Sequence, residues 1–83
     1  MAMISVDEVA HRLCQGSRFS IRRCRRIVRR AKSAMGYRWW QRRILDADAE
    51  ALLRVPHRAW VSRKKELAEA HLNVHRVSIY RAQ

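Results

Sequence analysis

Arginine supplies most of the chemistry this chain can do. Sixteen of its nineteen basic residues are arginine, and seven of those fall between Arg18 and Arg30, followed by Lys32, with no acid among them. A guanidinium is a planar fork that grips phosphate oxygens or a guanine edge, whereas lysine acts more as a point charge. A phosphate-rich partner is therefore the first expectation. Other chemistries find little support. Cys14, Cys24 and His11 fall short of the four ligands a structural zinc wants. Both cysteines sit where apolar residues are needed and read as small core thiols. No nucleophile–base pair, glycine-rich phosphate loop or paired-carboxylate site is present, so neither catalysis, nor a cofactor, nor a metal is expected.

The bulk composition sets the frame. A net charge of +12 comes from nineteen basic residues against seven acids. The chain is 48% hydrophobic with three tryptophans, two glycines and one proline, which favours folding over disorder. Its 83 residues suit one small domain, or one domain with a tail. No secretory core or transmembrane-length apolar run is seen, and a cytoplasmic, nucleoid-associated protein is expected.

The elements that must position the arginines follow from periodicity. Ser5 and Glu8 form a capping-box pattern ahead of Val6, Val9, Ala10 and Leu13, predicting a short helix to about Cys14. After Gln15-Gly16, Ser17 is the expected N-cap of the basic helix. On that helix Ile21, Cys24, Ile27, Val28 and Ala31 share one face. Arg22, Arg26 and Arg29 centre the opposite face, flanked by Arg23 and Arg30 on one side and by Arg18, Arg25 and Lys32 on the other. A disordered basic arm has no reason to sort its residues so. Phe19 falls toward the basic side and is expected to pack locally rather than stand beside the ligand. Gly36 is the expected stop.

"YRWWQRRIL", residues 37–45, is aromatic and basic without a helical stripe, predicting a short hairpin turning around Arg38–Gln41. Successive strand residues face opposite ways, so one of Trp39 and Trp40 is expected to pack and the other to be exposed. "DADAEALL", residues 46–53, predicts a helix with Asp46 as N-cap and Ala49, Leu52 and Leu53 returning to the core. Pro56 closes this unit. The expected division is a first domain over 1–56, carrying the basic helix, and a basic, partly helical tail over 57–83.

Helix, tight turn, basic helix, hairpin and short helix is the order of a winged helix-turn-helix, mainly α with a small β-hairpin. Three stretches carry a family resemblance. "ISVDEVAHRL" resembles the T-x-x-E-V-A-x-x-L opening of excisionase and MerR-like DNA-binding domains. "SRFSIRRCRRIV" is similar to their S-x-x-T-V-R-R recognition-helix start, and "GYRWWQRRILDADAEALL" to their wing followed by R-I-x-x-x-D-L-x-x-L. The likeness covers roughly residues 4–54. It departs at Cys14-Gln15-Gly16-Ser17, one residue longer than the usual Gly-Val-Ser.

The resemblance implies an excisionase, a recombination directionality factor that binds and bends duplex DNA. It would help a tyrosine recombinase (integrase) excise a phage or integrative element, with cooperative head-to-tail self-association along the DNA. A small winged-helix transcriptional regulator is the alternative on the same scaffold. On this reading Arg18, Ser20, Arg22, Arg23 and Arg26 approach base edges in the major groove. Arg25, Arg29, Arg30 and Lys32 sit near phosphates. Arg38, Arg42 and Arg43 form a wing following the neighbouring minor groove. "NVHRVSIYR", late in the chain, is similar to a second helix-turn-helix ending, but the tail is expected rather to hold an amphipathic helix for the recombinase or the next protomer, or to stay mobile until DNA is present. A lipid-binding cationic protein and an RNA-binding accessory protein are weaker alternatives. The apolar face of the arginine helix is small for a membrane helix, and the wing-like segment favours DNA.

Overall fold

The computed structural model describes residues 2–81. In chain order the elements are strand β1 (Met3–Ser5), helix α1 (Val6–Cys14), helix α2 (Ile21–Ala34), strand β2 (Arg43–Leu45), and helices α3 (Asp46–Arg54), α4 (His57–Val61) and α5 (Lys65–Arg81). The fold is thus mainly helical with one small two-stranded antiparallel sheet.

Helix α1 begins where its sequence pattern predicts. Ser5 Oγ accepts the Glu8 amide at 3.1 Å. The reciprocal arm of the capping box is absent, because the Glu8 carboxylate turns to Arg12 Nε one helical turn on, at 3.3 Å. Helix α2 starts three residues later than expected from Ser17. Ser17 instead closes the turn, its hydroxyl donating to the Cys14 carbonyl and accepting the Phe19 amide. Ser20 is the true cap, accepting the Arg23 amide at 3.2 Å. Two serines offered the same chemistry, and the longer turn decided which of them capped the helix. Gly36, with φ +92°, ends α2 in a Schellman motif. The Tyr37 amide donates to the Lys32 carbonyl and the Gly36 amide to that of Ser33.

The expected hairpin within residues 37–45 does not form. β2 pairs instead with β1 near the N-terminus, Ile4 against Ile44 and Ser5 against Arg43. This places Ile44 in the core, and the Val6 amide extends the ladder by donating to the Arg42 carbonyl at 2.8 Å. Residues 37–42 remain a loop whose central turn is closed by the Gln41 amide on the Arg38 carbonyl at 3.1 Å. The predicted cap at Asp46 is also corrected. Leu45 occupies the cap position without a side-chain bond, and Asp46 is the first helical residue, still favourable to the helix dipole.

Residues 57–81 are not a detached tail. Ala59, Ala68 and Leu72 are buried in the same apolar cluster as Val9, Leu13, Cys24, Val28, Ile44 and Leu52. Burying a side chain like Leu72 contributes about 2 kcal/mol, so α5 adds appreciably to the core that holds α2. The two thiols behave as core groups at the α1–α2 junction, with sulfurs 2.8 Å apart. Burial, together with the Cys14 contact, pushes the Cys24 thiol up to about 12.

One carboxylate fastens α5 to the rest. Asp48, only 1% exposed, accepts from the Tyr37 and Tyr80 hydroxyls and from Arg76 Nε at 3.0 Å. The Tyr37 oxygen in turn accepts the Leu45 amide at 3.1 Å. A buried charge is tolerated only when paired and hydrogen-bonded, and here the partners come from the loop after α2 and from α5.

Candidate nucleic-acid interface

Between Glu8 and Asp46 the chain contains no acid, and α2 lies wholly within that stretch. Its buried face is the expected one: Cys24, Ile27, Val28 and Ala31 are in the core and Ile21 packs against it. Packing that face turns Arg22, Arg26, Arg29 and Arg30 to solvent. None of these four takes part in a salt bridge among the described residues. A solvated helix face normally carries both signs of charge, whereas this one carries only guanidinium groups.

The flanking residues divide. Arg23 is half-buried, its guanidinium 4.5 Å from the centre of the Phe19 ring, and that ring meets His57 edge-on at 5.4 Å. Phe19 therefore belongs to the fold, as expected, and it orients Arg23. Arg18 is exposed in the turn rather than on the helix. Ser20, expected at base edges, has its oxygen committed to capping. Arg25 leans toward α1, its Nε buried without a hydrogen-bond partner and 3.7 Å from Asp7 Oδ1. Both side chains stay largely exposed, so the pairing carries little energetic weight.

Lys32 is the clearest correction. Expected at a phosphate, it is only 5% exposed, and its ammonium donates to the carbonyls of Trp39 at 3.0 Å and Gln41 at 2.6 Å. Burial, with Arg29 nearby, lowers its pKa. Its side chain is a strut between α2 and the loop. The Arg38 amide adds a bond to Gln41 Oε1 at 2.6 Å.

This bracing presents the loop outward. Arg38, Arg42 and Arg43 are exposed and free of salt bridges among the described residues. Both tryptophans are exposed, Trp39 at 88% and Trp40 at 62%, which overturns the expectation that one would pack. That expectation assumed strand residues facing opposite ways, but the two indoles occupy the middle of a turn.

A groove of about 330 Å³ runs between α2 and the α4–α5 segment. Arg23, Arg26 and Arg30 line one wall and Arg63 and Lys65 the other, over an apolar floor of Ile27, Ala31 and Leu72. Trp60 lies in the same lining, with its Nε1 buried and unpartnered. The contribution of Arg63 and Lys65 was not anticipated, because no local pattern relates them to α2. The burial of Asp48 did have a signal. Asp48, Ala51, Leu52 and Val55 recur at helical spacing and all are buried, so the acid stands in phase with the apolar stripe.

Among the described residues no three His, Cys, Asp or Glu converge as a metal site, and no helix is long and apolar enough to cross a membrane. The basic surface thus consists of the α2 face, the braced Trp loop and the α4–α5 rim. Comparisons with protein-family models, with curated proteins and with solved structures returned no match, so the functional reading rests on this arrangement of the chain's own residues.

Proposed function

We propose that the protein binds duplex DNA as a winged helix-turn-helix in which a braced loop takes the place of the hairpin wing. The observation that carries this reading is the acid-free α2 face, where Arg22, Arg26, Arg29 and Arg30 are exposed and without salt-bridge partners among the described residues. Arg22 and Arg26, nearer the N-terminus of α2, reach base edges in the major groove. Arg29, Arg30 and the loop arginines Arg38 and Arg42 bind phosphates on either side. Arg25 joins them by leaving Asp7, and Arg43 extends the set along β2.

The biological role we infer is that of an excisionase, which binds and bends DNA so that an integrase carries out excision. Its support is the sequence resemblance, together with the single-sign face of α2. The exposed Leu67, Val74 and Val77 along α5 suit a contact with a neighbouring protomer or the recombinase. A transcriptional regulator would use the same DNA surface without an integrase.

Titration of a duplex at increasing salt tests the binding step. With six phosphates neutralised, affinity should fall about a thousandfold between roughly 50 and 200 mM salt. A shallow salt response, or tighter binding to RNA than to duplex DNA, would defeat the reading. The role is tested by an excision assay with the cognate integrase: excision that proceeds equally well without the protein leaves only the regulator.

A further inference from the structure

Trp39 and Trp40 are the two most exposed large apolar side chains of the N-terminal half, and they are adjacent. Single exposed hydrophobic residues are ordinary, but an indole pair at a fixed loop tip is not. The tip is held from both sides. Lys32, buried on α2, donates to the Trp39 and Gln41 carbonyls, and the Arg42 carbonyl accepts the Val6 amide at the end of the sheet. Burying an ammonium is costly, and the two loop carbonyls that accept from it offset that cost only while the loop stays in this position.

The surroundings select the partner. Arg38, Arg42 and Arg43 flank the indoles, and the loop itself carries no acid, the next along the chain being Asp46 at the start of α3. A partner must therefore offer a flat apolar surface set between negative charges. Base pairs between phosphate walls have that form. The minor groove is about 6 Å wide and admits an apolar wedge that partly unstacks a base step and bends the helix away.

We propose that the 38–42 loop is an aromatic wedge: Arg38 and Arg42 grip the phosphates of the minor groove while Trp39 and Trp40 press against a base step and kink the duplex. This rests on the duplex-DNA reading and adds to it the residues that deform the DNA. The arginines of α2 supply affinity and register, and the indoles supply the bend.

The test uses the Trp60→Phe protein, in which Trp39 and Trp40 are the only indoles, with a random-sequence duplex labelled at both ends with fluorescent dyes. Indole fluorescence should be quenched on binding, and energy transfer between the dyes should rise as the duplex bends. Adding Trp39→Ala and Trp40→Ala should weaken binding about tenfold, as loss of aromatic stacking does. It should keep the salt slope and leave the saturated duplex unbent, whereas Trp39→Phe with Trp40→Phe should restore part of the bend. Normal bending by the double alanine protein, or binding without quenching, overturns the wedge while leaving DNA binding intact. Failure of the unsubstituted protein to bind the same duplex overturns both. Quenching or a blue shift with phosphatidylglycerol vesicles but not with duplex assigns the indoles to a lipid surface instead and likewise overturns the proposal.

Discussion

Helices α2 and α5 are the two longest of the described chain, and they use the same cation in opposite ways. On α5, Arg76 is drawn to the buried Asp48, and Lys65 pairs with Glu69 one turn on, at 3.7 Å. On α2, most arginines have no acid to reach. The residue type is shared, and the placement of acids decides its role. Where a carboxylate lies on the packing face, arginine becomes a fastener. Where none exists, it is left as an uncompensated charge facing water. Lys32 is the exception within α2, because it meets backbone carbonyls instead of solvent.

That contrast is open to direct attack. The largest effect should come from Asp48→Ala, which strands Arg76, Tyr37 and Tyr80 together. Breaking a buried pair in this way costs about 3–5 kcal/mol, enough to unfold much of a small domain. Urea denaturation checks it, and a loss below about 1 kcal/mol would mean that the hub does not hold α5.

Arg22→Ala and Arg26→Ala should do the reverse, leaving stability within about 0.5 kcal/mol while weakening a preferred site by about 1–3 kcal/mol relative to random duplex. Arg29→Ala should weaken all duplexes about equally. Competition titrations separate the two patterns, and equal losses on specific and random DNA for all three would contradict the assigned placement.

Lys32→Met sharpens the exception. Its lost hydrogen bonds oppose the relief of a buried ammonium, so global stability should change by about 1 kcal/mol or less. The local effect should be larger: hydrogen exchange at the Gln41 amide should accelerate as the Trp loop loosens. Unchanged exchange would show that the turn and sheet suffice to hold it.

The Asp48 hub should also give a pH dependence, confined to alkaline solution. Burial, then the bond to Asp48, pushes Tyr37 up to about 12 from an ordinary value of 10.0. Because the folded value is the higher one, this contribution is complete below pH 10.0 and is lost as pH rises toward about 12. Tyr37→Phe should flatten that part of the stability curve in urea titrations at rising alkaline pH. An unchanged slope would place the alkaline loss elsewhere, the Cys24 thiol being the next group to test.

Local signals made much of α1 and α2 legible. Ser5 and Glu8 marked the first start, Gly36 marked the stop of α2, and the spacing of Cys24, Ile27, Val28 and Ala31 identified its buried side. These features depend on contacts within one or two helical turns, so periodicity and capping chemistry reveal them. The errors cluster where partners are distant in the chain. Residues 43–45 have strand character but carry no mark that their partner is Met3–Ser5. Lys32 reads as one more basic residue until the loop carbonyls surround it, and the Trp pair reads as half-buried until the strand under it is found to be a turn.

The sorting of α2 into an apolar and a basic face is written into the chain, because it follows from a 3.6-residue period and an acid-free run. Which charges remain free was settled by packing. Folding brought Asp48 to Arg76 and the Trp39 and Gln41 carbonyls to Lys32, and it carried Arg63 and Lys65 to the edge of the arginine helix. A charge is fastened or free according to what lies within a few ångströms of it, and that distance is set by chain segments that no local pattern connects.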